Sequence, residues 1–252
     1  MSDKPFFVGY LPVPGPLRGL LIAVSIFLIG GLAGTGYLMG AVQDDPGTAA
    51  MRGDYGRQTV QGVIEPGPYP IFHVLSGNDR IPGGISFVMS AGGKAGVKDR
   101  ANALAGGVAQ ASGWILERGD LFMLQVRGGR NGLRNIEGEA PAVPVPEPMG
   151  TWRLTGEICD GKCLAGAMRP GRGLAHKACA NLCLIGEVPP IFVSTQPVGG
   201  ESFMLITGPD GEALPDAAYD AVGEYVSITG KLAMHGTTPV FAIDPESIAR
   251  LD

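Results

Sequence analysis

Gln61-Gly62-Val63-Ile64, followed by Pro70-Ile71-Phe72, Ser86-Phe87-Val88-Met89 and Ala111-Ser112-Gly113-Trp114-Ile115-Leu116, decides the fold, because the series returns later in the chain. Its second occurrence is Thr155-Gly156-Glu157-Ile158, Pro190-Ile191-Phe192, Ser202-Phe203-Met204-Leu205 and Ile228-Thr229-Gly230-Lys231-Leu232-Ala233. Eight positions separate Gly62 from Pro70, whereas 34 separate Gly156 from Pro190. The second copy is therefore longer at this one point, and Cys159, Cys163, Cys179 and Cys183 all fall there. One copy reads as scaffold, and the excess residues 159–185 of the other are where special chemistry is to be sought.

Working outward, short apolar runs bounded by Gly, Pro, Asn and Asp read as β-strands. In the first module they cover 59–64, 69–75, 85–90, 107–116 and 121–126, with a short helix predicted over 97–105. In the second they cover 152–158, 190–195, 202–207, 225–232 and 239–243, with a helix over 214–222. Five strands with a helix between the third and fourth resemble the element order of an OB-type barrel, which speaks for fold and not for function. The expected fold is mainly β: two tandem OB-like modules, 59–138 and 150–252, behind one N-terminal membrane helix. Between them, residues 139–149 carry Pro141, Pro144, Pro146 and Pro148, which favours an extended spacer. With 41 glycines and 21 prolines in 252 residues, short strands and many turns are favoured over long helices.

The span 19–42 has no charged residue and is long enough for a hydrocarbon core of about 30 Å. Lys4 and Arg18 precede it, while Asp44 and Asp45 follow. The positive-inside tendency then predicts a cytoplasmic tail (1–18), a single pass through the inner membrane, a stalk (43–58) and a periplasmic remainder. A cleaved signal peptide is the rival, but its apolar region is ordinarily shorter. Gly30, Gly34, Gly36 and Gly40 give small-xxx-small spacings on which another membrane helix could dock. The Pro-rich lead-in 5–14, with Phe6, Phe7 and Tyr10, suits the bilayer interface or a partner's surface.

A net charge of -5 argues against a nucleic-acid footprint. Gly-x-Ser-x-Gly does not occur, and Gly92-Gly93-Lys94-Ala95-Gly96 lacks the spacing of a phosphate loop. No pair of acidic residues is set by pattern for acid–base work, so no self-contained catalytic constellation is evident. His73 on a strand and His235 in a hairpin turn read as structural residues.

The cysteines run Cys-x3-Cys, a gap containing Pro170-Gly171-Arg172-Gly173, then Cys-x3-Cys, with His176 just before Cys179. A helix over 174–184 would align His176, Cys179 and Cys183 on one face, with Cys163 reaching them across the turn. Three readings stay open. Outside the cytoplasm an even cysteine count suggests two structural disulfides, such as Cys159–Cys183 with Cys163–Cys179. A site made of Cys163, His176, Cys179 and Cys183, or of all four cysteines, suits zinc, copper or an iron–sulfur cluster. Thiol exchange is the third, although no Cys-x2-Cys motif occurs. Covalent haem lacks its Cys-x2-Cys-His.

Gly156-Glu157-Ile158-Cys159-Asp160-Gly161-Lys162-Cys163, with Cys179 and Cys183, resembles a segment of bacterial single-pass membrane-anchored proteins associated with electron-transport enzymes. In that group the position of Cys159 is often apolar, so the resemblance implies Cys163, Cys179, Cys183 and His176 as the recurring set. One anchor followed by an OB-type barrel is also similar to the haem chaperone of cytochrome c maturation. That family's His-Asp-x-x-Tyr stretch is absent, and haem carriage is not implied. The expected role is accessory or scaffolding subunit of a membrane electron-transfer complex, contacting its membrane and periplasmic subunits. A metal or redox-cofactor carrier acting in assembly is the alternative, and a peptide- or glycan-binding module a further one.

Overall fold

The structure, a computed structural model, describes residues 13–41 and 48–251. The lead-in up to residue 12, Lys4 within it, and the post-helix acids Asp44 and Asp45 lie outside the described residues. Helix α1 (Gly15–Ala41) starts with Pro16 in its first turn, where a missing N–H costs nothing. At 1.5 Å per residue it is about 40 Å long, and it is long and apolar enough to cross a membrane. Every α1 residue is exposed, and beyond the helix's own backbone nothing lies within 4 Å of a Cβ built at Gly30, Gly34, Gly36 or Gly40.

Residues 46–252 form one unit. In chain order its strands and helices are β1 (Ala50–Met51), β2 (Gln58–Glu65), β3 (Ile71–Ser76), β4 (Ser86–Ser90), α2 (Lys98–Asn102), β5 (Val108–Arg118), β6 (Leu121–Val126) and β7 (Leu133–Asn135). There follow β8 (Glu147–Asp160), α3 (Lys177–Ile185), β9 (Pro190–Val198), β10 (Glu201–Thr207), α4 (Asp216–Tyr219), β11 (Tyr225–His235), β12 (Thr238–Ile243) and β13 (Ala249–Arg250). The first sheet runs β5-β2-β3-β4-β6 and closes by pairing β6 with β5. The second runs β11-β8-β9-β10-β12 and closes by pairing β12 with β11. Both are barrel-like, with five strands in the same order and with the third and fifth strands parallel in each.

The repeated residues do the same work in both barrels. A Cβ at Gly62 would meet the His73 carbonyl and lie 2.7 Å from the Phe72 ring; at Gly156 it would meet the Val193 carbonyl and lie 2.8 Å from the Phe192 ring. Phe72 and Phe192 are completely buried, each folded over the bare backbone of the first strand. Glycine in a strand interior marks such a close approach.

The sequence separates the modules by a proline-rich spacer, yet the barrels touch. On β4, Phe87 and Met89 enter the first core, while Val88 turns the other way. Val88 joins Ile71, Leu116, Leu121 and Met123 in the cluster that holds Phe192, Phe203 and Phe241 of the second barrel. Strands buried on both faces read as continuous apolar runs, which is the character of Phe87-Val88-Met89. The Tyr69 hydroxyl accepts the Leu214 N–H at 3.0 Å, and Asp120 Oδ2 accepts the Ser202 N–H at 2.6 Å. The last spacer residues, Glu147 to Met149, already belong to β8, which pairs with β11.

Candidate metal centre

The segment between β8 and β9 starts from a buried anchor. Asp160 is fully buried at the end of β8; its Oδ1 accepts the Cys163 N–H at 2.9 Å, and its Oδ2 faces His176 Nε2 at 2.9 Å. This pair fixes the irregular turn Cys163–Ala167 at one end. Gly171 packs against the turn, since a Cβ there would meet the Cys163 carbonyl.

The chain then enters a 3-10 turn, Leu174–His176, before α3 begins at Lys177. The helix expected over 174–184 is present as one continuous segment, Leu174–Ile185, whose first turn is 3-10: Gly173 has φ +80 and its carbonyl accepts the His176 N–H at 2.8 Å. Cys179 and Cys183 remain four apart on α3, one above the other. His176 is turned away from them into its pairing with Asp160.

Two groups of ligand atoms result. The Sγ atoms of Cys163, Cys179 and Cys183 all lie within 4.8 Å of one another, and Cys163 also belongs with Asp160 and His176 in a second such group. The three thiols expected from the sequence converge; His176 joins Cys163 and not the other two. Cys159 does not join them. Its buried thiol donates to Glu157 Oε1 at 3.1 Å, and Glu157 also accepts the Gly173 N–H and faces Arg172. No cysteine is bonded to another in the structure, and Cys159 stands apart from the group formed by Cys163, Cys179 and Cys183.

A group the sequence reading set aside completes the site. Lys94, from the loop after β4 of the first barrel, places Nζ 2.8 Å from Cys179 Sγ, 3.6 Å from Cys183 Sγ and 3.3 Å from the Cys179 carbonyl. Its loop sits this close because Gly96 and Gly186 have no side chains: a Cβ at either would run into the backbone of Glu187 or Lys94. The Gly96 N–H donates to the Gly186 carbonyl at 2.7 Å. Lys162 points back the other way, donating hydrogen bonds to the Ala91 and Gly93 carbonyls at 2.6 and 2.7 Å. The Gly-Gly-Lys-Ala-Gly run was the available signal: it packs against α3 and the residues that follow it.

The surroundings of the inner thiols favour their protonated form. Burial pushes Cys163 up, helped by the Asp160 charge, and the same two causes raise Cys183. Burial also raises Cys159 strongly, with Glu157 adding to it. A coordinated cation reverses that balance, because a ligating thiol gives up its proton. Sulfurs bound to one ion at about 2.3 Å lie about 3.8 Å apart, so the three thiols need only a small contraction to close on a metal.

The two remaining histidines share one carboxylate. His73 and His235 both face Glu65, at 2.9 and 2.5 Å, and His73 Nδ1 lies 2.9 Å from Ser86 Oγ. The His235–Glu65 pair joins the second barrel to the first, while His73 pairs within the first. A mostly apolar cleft of about 320 Å³ opens beside them, lined by Tyr69, Leu205, Thr207 and Lys231 among others. No family model, curated protein or solved structure matches the chain.

Proposed function

We propose that the protein is a membrane-anchored holder of a thiophilic metal ion that serves a membrane electron-transfer complex. The observation that carries this is the convergence of Cys163, Cys179 and Cys183 within 4.8 Å, under a lysine supplied by the other barrel. A purely structural insert needs no such convergence, and a catalytic metal site with three protein ligands keeps a position free. Zinc, copper or an iron–sulfur cluster all suit thiolates; the position of Cys159 argues against a four-cysteine cluster. The strand order of both barrels supports OB-type modules, here serving as a rigid mount. The anchor is read as α1 in the inner membrane with its N-terminus in the cytoplasm, and the barrels as periplasmic. Lys94 reaching across the barrel junction makes the metal site depend on the relative position of both modules.

A second reading, accessory or scaffolding subunit, is favoured by α1, whose exposed glycine positions suit docking on another membrane helix. The two readings are compatible when the metal is delivered to, or held within, the same complex. Metal content and thiol state of the native detergent-purified chain test the first. A metal that is lost when Cys163, Cys179 and Cys183 become Ser supports it. Disulfide-blocked cysteines without metal refute it. Stoichiometric copurification with membrane enzyme subunits tests the second, and a chain that runs alone refutes it.

A further inference from the structure

We propose that Met168 is a fourth sulfur ligand of this site and that the site is built for a soft monovalent ion, copper(I) being the biological one. The inference rests on the reading of Cys163, Cys179 and Cys183 as metal ligands. Met168 Sδ lies 3.7 Å from Cys179 Sγ, the separation of two sulfurs that share an ion at about 2.3 Å from each. Met168 ends the Cys163–Ala167 turn with extended backbone, so the turn that delivers Cys163 to one side of the cluster delivers the thioether to another. The side chain is 45% exposed and contributes nothing to either barrel core. Its position against Cys179 is therefore not a by-product of core packing.

The donor set decides the metal class. Three thiolates and one thioether are all soft ligands, which suits copper(I), while a thioether adds little for zinc. The harder donors nearby are already committed: Asp160 holds the Cys163 N–H and faces His176. An iron–sulfur cluster would draw on a fourth cysteine, and Cys159 is turned to Glu157. Charge agrees as well. Three thiolates around a monovalent cation keep two negative charges, and Lys94, 2.8 Å from Cys179 Sγ, offsets one of them.

The test uses the full chain in mild detergent, reduced and under argon. Copper(I) affinity is measured by competition with bicinchoninate, and zinc(II) affinity by competition with a chromophoric chelator. Three proteins are compared: the wild type, Met168→Leu, and the triple variant Cys163→Ser, Cys179→Ser, Cys183→Ser. The expected result is one tightly held copper(I) per chain in the wild type. Met168→Leu should weaken copper(I) by about tenfold and leave zinc(II) where it was. X-ray absorption should lose one sulfur scatterer in that variant. Equal copper(I) affinity in the wild type and Met168→Leu, with binding lost in the triple variant, overturns the role of Met168 and leaves the thiol site standing. Equal weakening of both metals makes Met168 a support of the turn and also overturns the inference. Copper(I) binding that survives in the triple variant overturns the thiol site itself.

Discussion

Replacing Asp160 by Ala should be the most damaging single change near the candidate metal centre that touches no sulfur. The carboxylate is fully buried and makes two hydrogen bonds, to the Cys163 N–H and to His176 Nε2, each 2.9 Å long. Hydrogen bonds to a charged group contribute about 1.5–3 kcal/mol each, and removing one member of a buried pair costs about 3–5 kcal/mol. Relief from burying a charge offsets part of this, so a net loss of about 3 kcal/mol is expected. With a urea slope of about 3 kcal/mol/M, suited to a unit of this size, the midpoint should fall by about 1 M. The assay is urea unfolding of the detergent-solubilised chain followed by far-UV circular dichroism. Asp160→Asn keeps the shape and one acceptor, and should lose less than half as much. Metal affinity should fall about 10- to 100-fold in Asp160→Ala, the usual effect of removing a group that orients a ligand. Wild-type midpoint and wild-type affinity in that variant would refute the claim that this carboxylate organises the turn.

Gly62→Ala and Gly156→Ala should each destabilise by about 3 kcal/mol, since the added methyl meets backbone on the neighbouring strand, whereas Gly92→Ala, with open space around it, should stay within about 0.5 kcal/mol. Unequal results at Gly62 and Gly156 would sink their structural equivalence. Glu201 is raised to about 7 by burial, with the Asp120 hydrogen bond and charge adding to it. The folded state therefore holds this proton more tightly than the unfolded chain. Stability should fall as pH rises from about 4.5 to 7, and thermal unfolding of Glu201→Gln should lack that slope. For Glu65 burial acts upward, but the His235 and His73 hydrogen bonds and charges together outweigh it and bring the carboxyl to about 2. Its contribution is present above about pH 4.5 and is lost as pH falls towards 2. Acid titration of Glu65→Gln, monitored by circular dichroism, should show a shallower loss than the wild type.

The duplication was legible because its evidence is local. Each Gly and each following Phe is set by the strand it lies on, and Pro70-Ile71-Phe72 and Pro190-Ile191-Phe192 carry the same pattern. The membrane-length helix was equally plain from an uncharged run. The convergence of Cys179 and Cys183 followed from helical spacing. What the sequence hid was non-local. Lys94 meets Cys179 across 85 positions, through a contact that only two interlocked glycine turns permit. The partner of His176 was hidden for the same reason: Asp160, sixteen positions earlier at the end of β8, takes its Nε2, which helical spacing alone does not show. Met168 carried no pattern at all, since a methionine after a Gly-Ala pair becomes notable only once its sulfur is seen beside a thiol.

The shared interior beneath β4 and the exposed positions of the spacer, Pro141-Ala142 and Val145-Pro146, together imply how the protein responds to being cut. Val88, Leu121 and Met123 are held by residues that lie beyond the spacer in the chain. A protease that clips the spacer would therefore not release two independent halves. The pieces should stay associated as a heterodimer through washing and gel filtration, separating only in denaturant. The same property makes the spacer a natural place to split the gene: two co-expressed fragments should reassemble on one anchor. Reconstitution would then depend on fragment concentration, while the intact chain assembles independently of it.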